Sequence, residues 1–275
     1  MVTMVTVIFG AGGYVGRKFT NLFNFSFAPS SSEVDASNYK ELEAYLDDIR
    51  PDRIINCAGF TGKPNVDQCE KPDVKSAVID GNIKIPLNLA DYCLDKDIQF
   101  GHVSSGCIYS GTGGFGPDDE PNFTYEDGSF YSTTKAIAER MIKPKGAYIW
   151  RLRIPFDGVP DPRNYITKLL TYDKVFGAPN SYSELGDFAV ACLKSFKQDP
   201  RVFNLTNQGY LEFEEVVELL KRYLPEAEKL QVVDFPKNLI APRSNCTLEA
   251  DPLMDLDVRA AFETALQIYR FNLGK

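Results

Sequence analysis

Residues 10–16, Gly-Ala-Gly-Gly-Tyr-Val-Gly, follow directly on the apolar run 5–9 and open a helical pattern. Few other features limit a fold so tightly. Glycine tolerates the backbone angles of a tight turn and, lacking Cβ, lets main-chain N–H groups approach a pyrophosphate at a helix N-terminus. Gly10, Gly13 and Gly16, spaced G-x-x-G-x-x-G between a strand and a helix, predict a dinucleotide-binding turn at the head of a parallel sheet. A plain structural turn is the competing reading.

The next segments fit that sheet. Short β-like runs at 5–9, 24–27, 53–57, 100–104 and 148–152 alternate with amphipathic stretches at 38–50, 71–94 and 129–142. Within 38–50, Leu42, Tyr45, Leu46 and Ile49 recur at helical spacing, and Asn38 with Glu41 reads as a capping box. The alternation predicts an α/β fold, a doubly wound parallel sheet over residues 1–154. Past residue 155 the rhythm breaks at Pro155, Pro160, Pro162 and Pro179, while 212–224 and 255–271 read as helices. Residues 155–275 are expected to form mainly a smaller C-terminal substrate-binding lobe over the carboxyl ends of the strands, with some segments returning to the first domain.

Charge and cysteine usage narrow the partners. The net charge of −8 repels phosphate backbones, which argues against a nucleic-acid partner. One histidine, His102, and six cysteines without a C-x-x-C pair argue against zinc and for reduced thiols. His102 lies within a strand and reads as a core or backbone-bonded residue. The N-terminus has no basic leader pattern, and no apolar run reaches the roughly 18 residues of a membrane span. A cytoplasmic protein without membrane contact is expected.

A carboxylate usually ends the second strand of such a sheet and holds the ribose hydroxyls of NAD. Here that place reads Ala28-Pro29-Ser30-Ser31-Ser32, with Glu33 arriving late, and Arg17 follows the last glycine. A cation with hydroxyls suits a 2′-phosphate, so NADPH (NADP) is the expected cofactor and NADH the alternative; Arg17 as a solvated helix residue is the bland reading. Tyr14, Val15, Asp35, Ala58 and Gly59 are further candidate cofactor contacts. Tyr131 and Lys135 form Y-x-x-x-K, whose ends lie on one helix face because four residues advance about 400°. A phenol becomes a useful acid–base group when a neighbouring ammonium stabilises its phenolate. Ser105, at the end of a strand, is placed to share a carbonyl oxygen with Tyr131.

The glycine turn, Asn56-Cys57-Ala58-Gly59, Ser104-Ser105 and Tyr131–Lys135 together resemble the extended short-chain dehydrogenase/reductase family. The resemblance implies a Rossmann-type sheet and hydride-coupled proton transfer by Ser105, Tyr131 and Lys135. It also places Asn82 where a helix asparagine orders the lysine; capping or bending the helix is its other reading. Residues 59–70, Gly106-Cys107-Ile108, 121–124 with 128–131, 161–168 and 241–245 are more narrowly similar to nucleotide-rhamnose synthase/epimerase-reductases. That likeness covers nearly the whole chain. It implies a bifunctional 3,5-epimerase/4-reductase that converts UDP-4-keto-6-deoxy-D-glucose to UDP-L-rhamnose.

By the same resemblance, Cys107 and Lys168 exchange the protons at C3 and C5, which the 4-ketone acidifies. A buried core thiol and a solvated amine are the competing readings. Arg163 and Arg243 are candidate clamps for the nucleotide diphosphate, since guanidinium binds phosphate bidentately, with surface ion pairs as the alternative. Thr61, Asn65, Asn164 and Asn245 complete the substrate-side candidates, with Lys63 beside them. A separate 4,6-dehydratase would supply the keto-sugar, and family likeness suggests a homodimer through 71–94 and 129–142. A GDP-fucose synthase, a dTDP-4-keto-rhamnose reductase and a non-catalytic NADP-binding regulatory subunit stay open as alternatives.

Overall fold

The computed structural model describes residues 4–23, 25–236 and 239–274. Among these residues, five strands run parallel in a central sheet: β1 (Thr6–Phe9), β2 (Arg53–Asn56), β3 (Gln99–Ser105), β5 (Tyr148–Leu152) and β9 (Val202–Asn204), adjacent in that order. Three short parallel pairs lie outside it: β4 (Gly111–Phe115) with β11 (Cys246–Leu248), β6 (Pro155–Phe156) with β8 (Ser183–Glu184), and β7 (Lys174–Val175) with β10 (Gln231–Val232). Side chains alternate across the sheet, so each apolar strand feeds two cores. Val7, Ile54, Phe100 and Ile149 meet Leu42 and Leu46 of α2 (Tyr39–Ile49) and Leu89 of α4 (Ile85–Lys96). Ile8, Ile55, Trp150 and Phe203 meet Phe19 of α1 (Gly16–Thr20) and Phe188 of α7 (Leu185–Ser195).

After β1 the chain crosses to Phe27, which bridges Val7 in parallel, and then returns to β2 on the opposite side of β1. The direction of winding therefore reverses beside β1. In such sheets the crevice at the carboxyl ends of the strands opens at this point. Gly10 and Ala58 follow the two strands that border it.

Several expected elements differ. Of the strand expected at 24–27, Asn24 lies outside the described residues, and Phe27 alone joins the sheet. Its N–H and C=O bond to Thr6 and Ile8, and Pro29, without an N–H, cannot extend the ladder. Asn38 stands at the N-cap position of α2 but its side chain caps nothing and no capping box forms: its amide donates to the Glu41 carboxylate at 2.8 Å instead of either side chain bonding backbone. The single helix expected over 71–94 is segmented into a 3₁₀ turn, α3 (Lys75–Ile79), a π turn (Asp80–Lys84) and α4. The one over 129–142 is α5 (Phe130–Ile142), capped by Ser129.

Among the described residues beyond 155, most apolar side chains join one of two packing groups, while Cys246 and Leu248 of β11 pack with Ile108 and Tyr109. α7 and β9 lie in the core of the central sheet. α6 (Tyr165–Leu170), α8 (Phe213–Tyr223) and α9 (Val258–Asn272) surround a separate core of Phe156, Ile166, Tyr182, Leu220 and Phe262. Glu212 and Glu215 make a reciprocal capping box at the start of α8. No helix among the described residues is long and apolar enough to cross a membrane.

Candidate active site

The glycine turn shows why its residues are glycines. Gly10 has φ +74°, and a Cβ there would lie 2.4 Å from Ala58 N; at Gly16 it would lie 2.1 Å from Gly10 O. Gly10 seats the turn on the end of β2, and Gly16 packs the start of α1 against the turn itself. The outer face is different: a Cβ on Gly12 would meet nothing within 4 Å, and one on Gly13 only Gly10 O at 3.2 Å. The main chain there is uncovered and open to a ligand, which is what a pyrophosphate cradle requires. The residues present fit a dinucleotide.

Beside it lies a cavity of about 440 Å³, where the carboxyl ends of β2, β3 and β5 meet α5 and α6. Gly13, Tyr14, Val15, Gly59, Thr61, Asn65, Ser105, Cys107, Tyr131, Arg163 and Lys168 all line it. A second cavity, about 560 Å³ between α5 and residues 117–125, holds none of these.

Ser105 caps the turn after β3, its Oγ accepting from Cys107 N at 3.1 Å. Tyr131, in the first turn of α5, is buried; burial, and then the nearby Cys107, push its phenol up, while Ser105 and Arg153 pull it back. Lys135 lies one turn further on and deeper. Its Nζ donates to Val103 O at 3.0 Å and sits 3.3 Å from His102 Nε2. Burial pushes Lys135 down to about 8. Arg153 is a cation that acts on Tyr131, while Lys135 Nζ turns toward β3.

Arg153, just past β5, escaped the sequence reading. Its Nη1 donates to Cys107 Sγ at 2.9 Å, and its other nitrogens to Asn180 Oδ1 and Ser244 O. The one available signal was a second arginine, two residues after Arg151, at the carboxyl end of a buried strand. Lys168, on α6, shares the cavity, and burial followed by Arg163 lowers its affinity for a proton. Arg163 reaches Thr61 Oγ1 at 2.8 Å.

Other candidates have partners that alter their reading. Arg243 is held by both Asp67 oxygens at 2.7 and 3.0 Å, an ion pair within the protein and not an open diphosphate clamp. Asn164 is fully buried: its Oδ1 caps α6 at Ile166 N and its Nδ2 bonds Asp157 and Val159, so no polar atom is left for a sugar. Asn245 Oδ1 accepts from Asn180. Asn65 Oδ1 accepts from Asp67 N. Asn82 bonds the Phe60 main chain and Thr134 Oγ1, joining the loop after β2 to α5. Asp35 caps Ser37. Arg17 pairs with Asp161 and Gly12 O, and the Glu33 carboxylate accepts from Ser30 N and Oγ.

Relatives carry the same architecture. Residues 4–211 match the model of the RmlD substrate binding domain. The chain is 31% identical over 264 residues to a bifunctional dTDP-4-dehydrorhamnose 3,5-epimerase/dTDP-4-dehydrorhamnose reductase of Arabidopsis thaliana, covering 90% of this chain and 85% of that protein. A trifunctional UDP-glucose 4,6-dehydratase/UDP-4-keto-6-deoxy-D-glucose 3,5-epimerase/UDP-4-keto-L-rhamnose-reductase of the same plant is 33% identical over 90% of this chain, which spans 39% of its length. Among solved structures, the UDP-rhamnose synthase of Acanthamoeba polyphaga mimivirus superposes with a TM-score of 0.88 at 24% identity, covering 96% of this chain and 99% of that one. The NADP complex of a dTDP-4-dehydrorhamnose reductase from Bacillus anthracis gives 0.79 at 17%, covering 100% and 99%. With a matched segment that runs from β1 through β9, the chain belongs to the RmlD substrate binding domain family of extended short-chain dehydrogenases/reductases.

Proposed function

We propose that the chain is a 3,5-epimerase/4-reductase that converts UDP-4-keto-6-deoxy-D-glucose to UDP-L-rhamnose with NADPH. One observation carries this: Ser105 and Tyr131, a reductase pair, share a single cavity with Cys107 and Lys168. A reductase alone has no use for the last two. A dinucleotide held on the glycine turn at Gly10–Gly16 would supply the hydride for the sugar's C4. Ser105 holds the C4 oxygen, and the Tyr131 hydroxyl gives its proton to the developing alkoxide. Cys107 and Lys168 remove and return the protons beside the ketone. Arg163, at the cavity wall, meets the diphosphate.

The plant and viral relatives support a rhamnose-forming reaction by their named activities, some with UDP-linked and some with dTDP-linked sugars. A fucose-type epimerase pairing Cys with His has less support, since the one histidine is fully buried and does not line the cavity. A separate 4,6-dehydratase would supply the substrate. Exposed Leu94 on α4 and Met141 on α5 suit a homodimer through those helices.

The test is NMR of UDP- and dTDP-keto-sugars incubated with NADPH in heavy water. Deuterium at C3 and C5 with a rhamnose-configured product is expected for the parent. Tyr131→Phe should lower reduction by about 10²–10⁴-fold while exchange continues, and Cys107→Ala should stop exchange while NADPH still binds. Parent-rate exchange in Cys107→Ala would sink the epimerase assignment and leave a reductase.

A further inference from the structure

β3 carries the chain's one histidine, fully buried beneath Lys135. The hydrogen bonds around it have a forced direction. Ala58 N–H donates to Asn56 Oδ1 at 2.9 Å, which turns the Asn56 amide so that Nδ2 faces His102 Nδ1 at 3.0 Å. An amide nitrogen donates and cannot accept. His102 Nδ1 is therefore the bare nitrogen, and the ring is neutral with its proton on Nε2. That N–H points at Lys135 Nζ, 3.3 Å away. An ammonium has no lone pair to receive it, whereas a neutral amine has one and can still donate to Val103 O. The arrangement is that of an uncharged lysine. For the ammonium to donate to the ring as well as to Val103 O, His102 must move its proton to Nδ1. The Asn56 amide must then turn over, and Ala58 N–H loses its oxygen.

We propose that His102 is a positioning residue for Lys135, which donates to the neutral amine and, through Asn56, ties the lysine's charge to the main chain at Ala58. The consequence for catalysis rests on the reductase reading of Tyr131 and Lys135; the hydrogen-bond chain does not. The other titratable groups whose charge acts on Lys135 are Glu139, one turn along α5, and then Cys107 and Cys57. Glu139 is already bonded to Arg151 and Ser104. Burial holds His102 well below its ordinary range and Lys135 near 8, so the lysine is the partner that changes charge. Ala58 N is also the atom against which Gly10 packs, so the switch ends beneath the glycine turn.

A single histidine makes the test direct. Protein labelled with nitrogen-15 histidine is followed by long-range proton–nitrogen spectra between about pH 6 and pH 10. The Nε2–H tautomer is expected at the alkaline end. It should cross to Nδ1–H as Lys135 gains its proton, without passing through imidazolium, and Lys135→Met should abolish the crossing. In parallel, His102→Asn removes the donor to the neutral amine. The alkaline limb of NADPH oxidation should then move up by about one pH unit. One unchanging tautomer in the parent, an imidazolium, or the same crossing in Lys135→Met would overturn the proposal. The spectra need no substrate, so a protein that shows the crossing yet reduces no keto-sugar contradicts only the reductase reading.

Discussion

Arg153 organises the part of the cavity where the sulfur sits. All of its bonds are fixed by the fold, with two nitrogens on Asn180 and one on Cys107 Sγ at 2.9 Å. A guanidinium held rigidly against sulfur fixes where Cys107 Sγ sits in the cavity. Lysine keeps the charge but lacks the planar fork that reaches Asn180 and Cys107 together. Arg153→Lys should accordingly misplace the sulfur and slow deuterium entry at C3 and C5 by about tenfold or more, with NADPH affinity retained in a fluorescence titration. Unaltered exchange would assign Arg153 to packing alone. Lys135 adds a dependence on pH. Its folded value, lowered from 10.5 to about 8, means that the unfolded chain holds the extra proton between those limits. Stability therefore rises with pH across that window, and the full cost of burying the ammonium is carried below pH 8. Relative to Lys135→Met, the parent should gain on the order of 3 kcal/mol between about pH 8 and 10.5 in urea denaturation. Parallel profiles would mean that Lys135 is not buried as an amine.

At the scale of elements, the turn between β1 and α1 separates two kinds of glycine. Gly16→Ala would push Cβ to 2.1 Å from Gly10 O, against main chain that cannot yield, and should lose several kcal/mol or fail to fold. Gly12→Ala meets nothing within 4 Å, so melting should change by less than about 1 kcal/mol. NADPH affinity should nevertheless fall at least tenfold, because the methyl enters the space above the bare main chain. Full affinity in Gly12→Ala would move the pyrophosphate elsewhere. This turn was legible in the sequence because its determinants lie within seven consecutive residues, and Tyr131–Lys135 was legible for the same reason, as one helix turn. The strand expected at 24–27 and the helix expected at 71–94 were only half legible. Phe27 takes its ladder bonds from β1, and Asn82 is positioned by a π turn and its bonds to Phe60 and Thr134. Arg153, Arg243 and Asn164 were the least legible. Arg243 pairs with Asp67 and Arg153 with Asn180, partners distant in the chain, while Asn164 is used up by a loop whose shape no pattern announces.

On the scale of the whole molecule, two charges in α1 reach the segment that leads into α6. Lys18 pairs with Asp157, whose side chain is 3% exposed, and Arg17 pairs with Asp161 while itself 50% exposed. Asp157 also holds Asn164, the cap of the helix that carries Lys168. We propose that the first of these pairs makes the glycine turn and the residues beyond 155 act as one unit, and that the second is an exposed contact which a cofactor phosphate can replace. The two variants separate these roles. Arg17→Ala should change stability by no more than about 1 kcal/mol, as exposed pairs do, and should narrow the preference for NADPH over NADH. Lys18→Met leaves a buried carboxylate without its cation, a loss of about 2–3 kcal/mol given that Lys18 is partly exposed, against 3–5 for a fully buried pair. Because Asp157 anchors the cap of α6, Lys18→Met should also slow the Lys168-dependent exchange, although Lys18 does not line the cavity. Paired measurements of NADPH affinity and deuterium entry decide between the outcomes. If Lys18→Met melts lower yet exchanges at the parent rate, the pair is a structural tie and the two halves of the site work independently. If exchange falls while Arg17→Ala leaves it untouched, the buried carboxylate transmits the position of the glycine turn to the epimerase lysine.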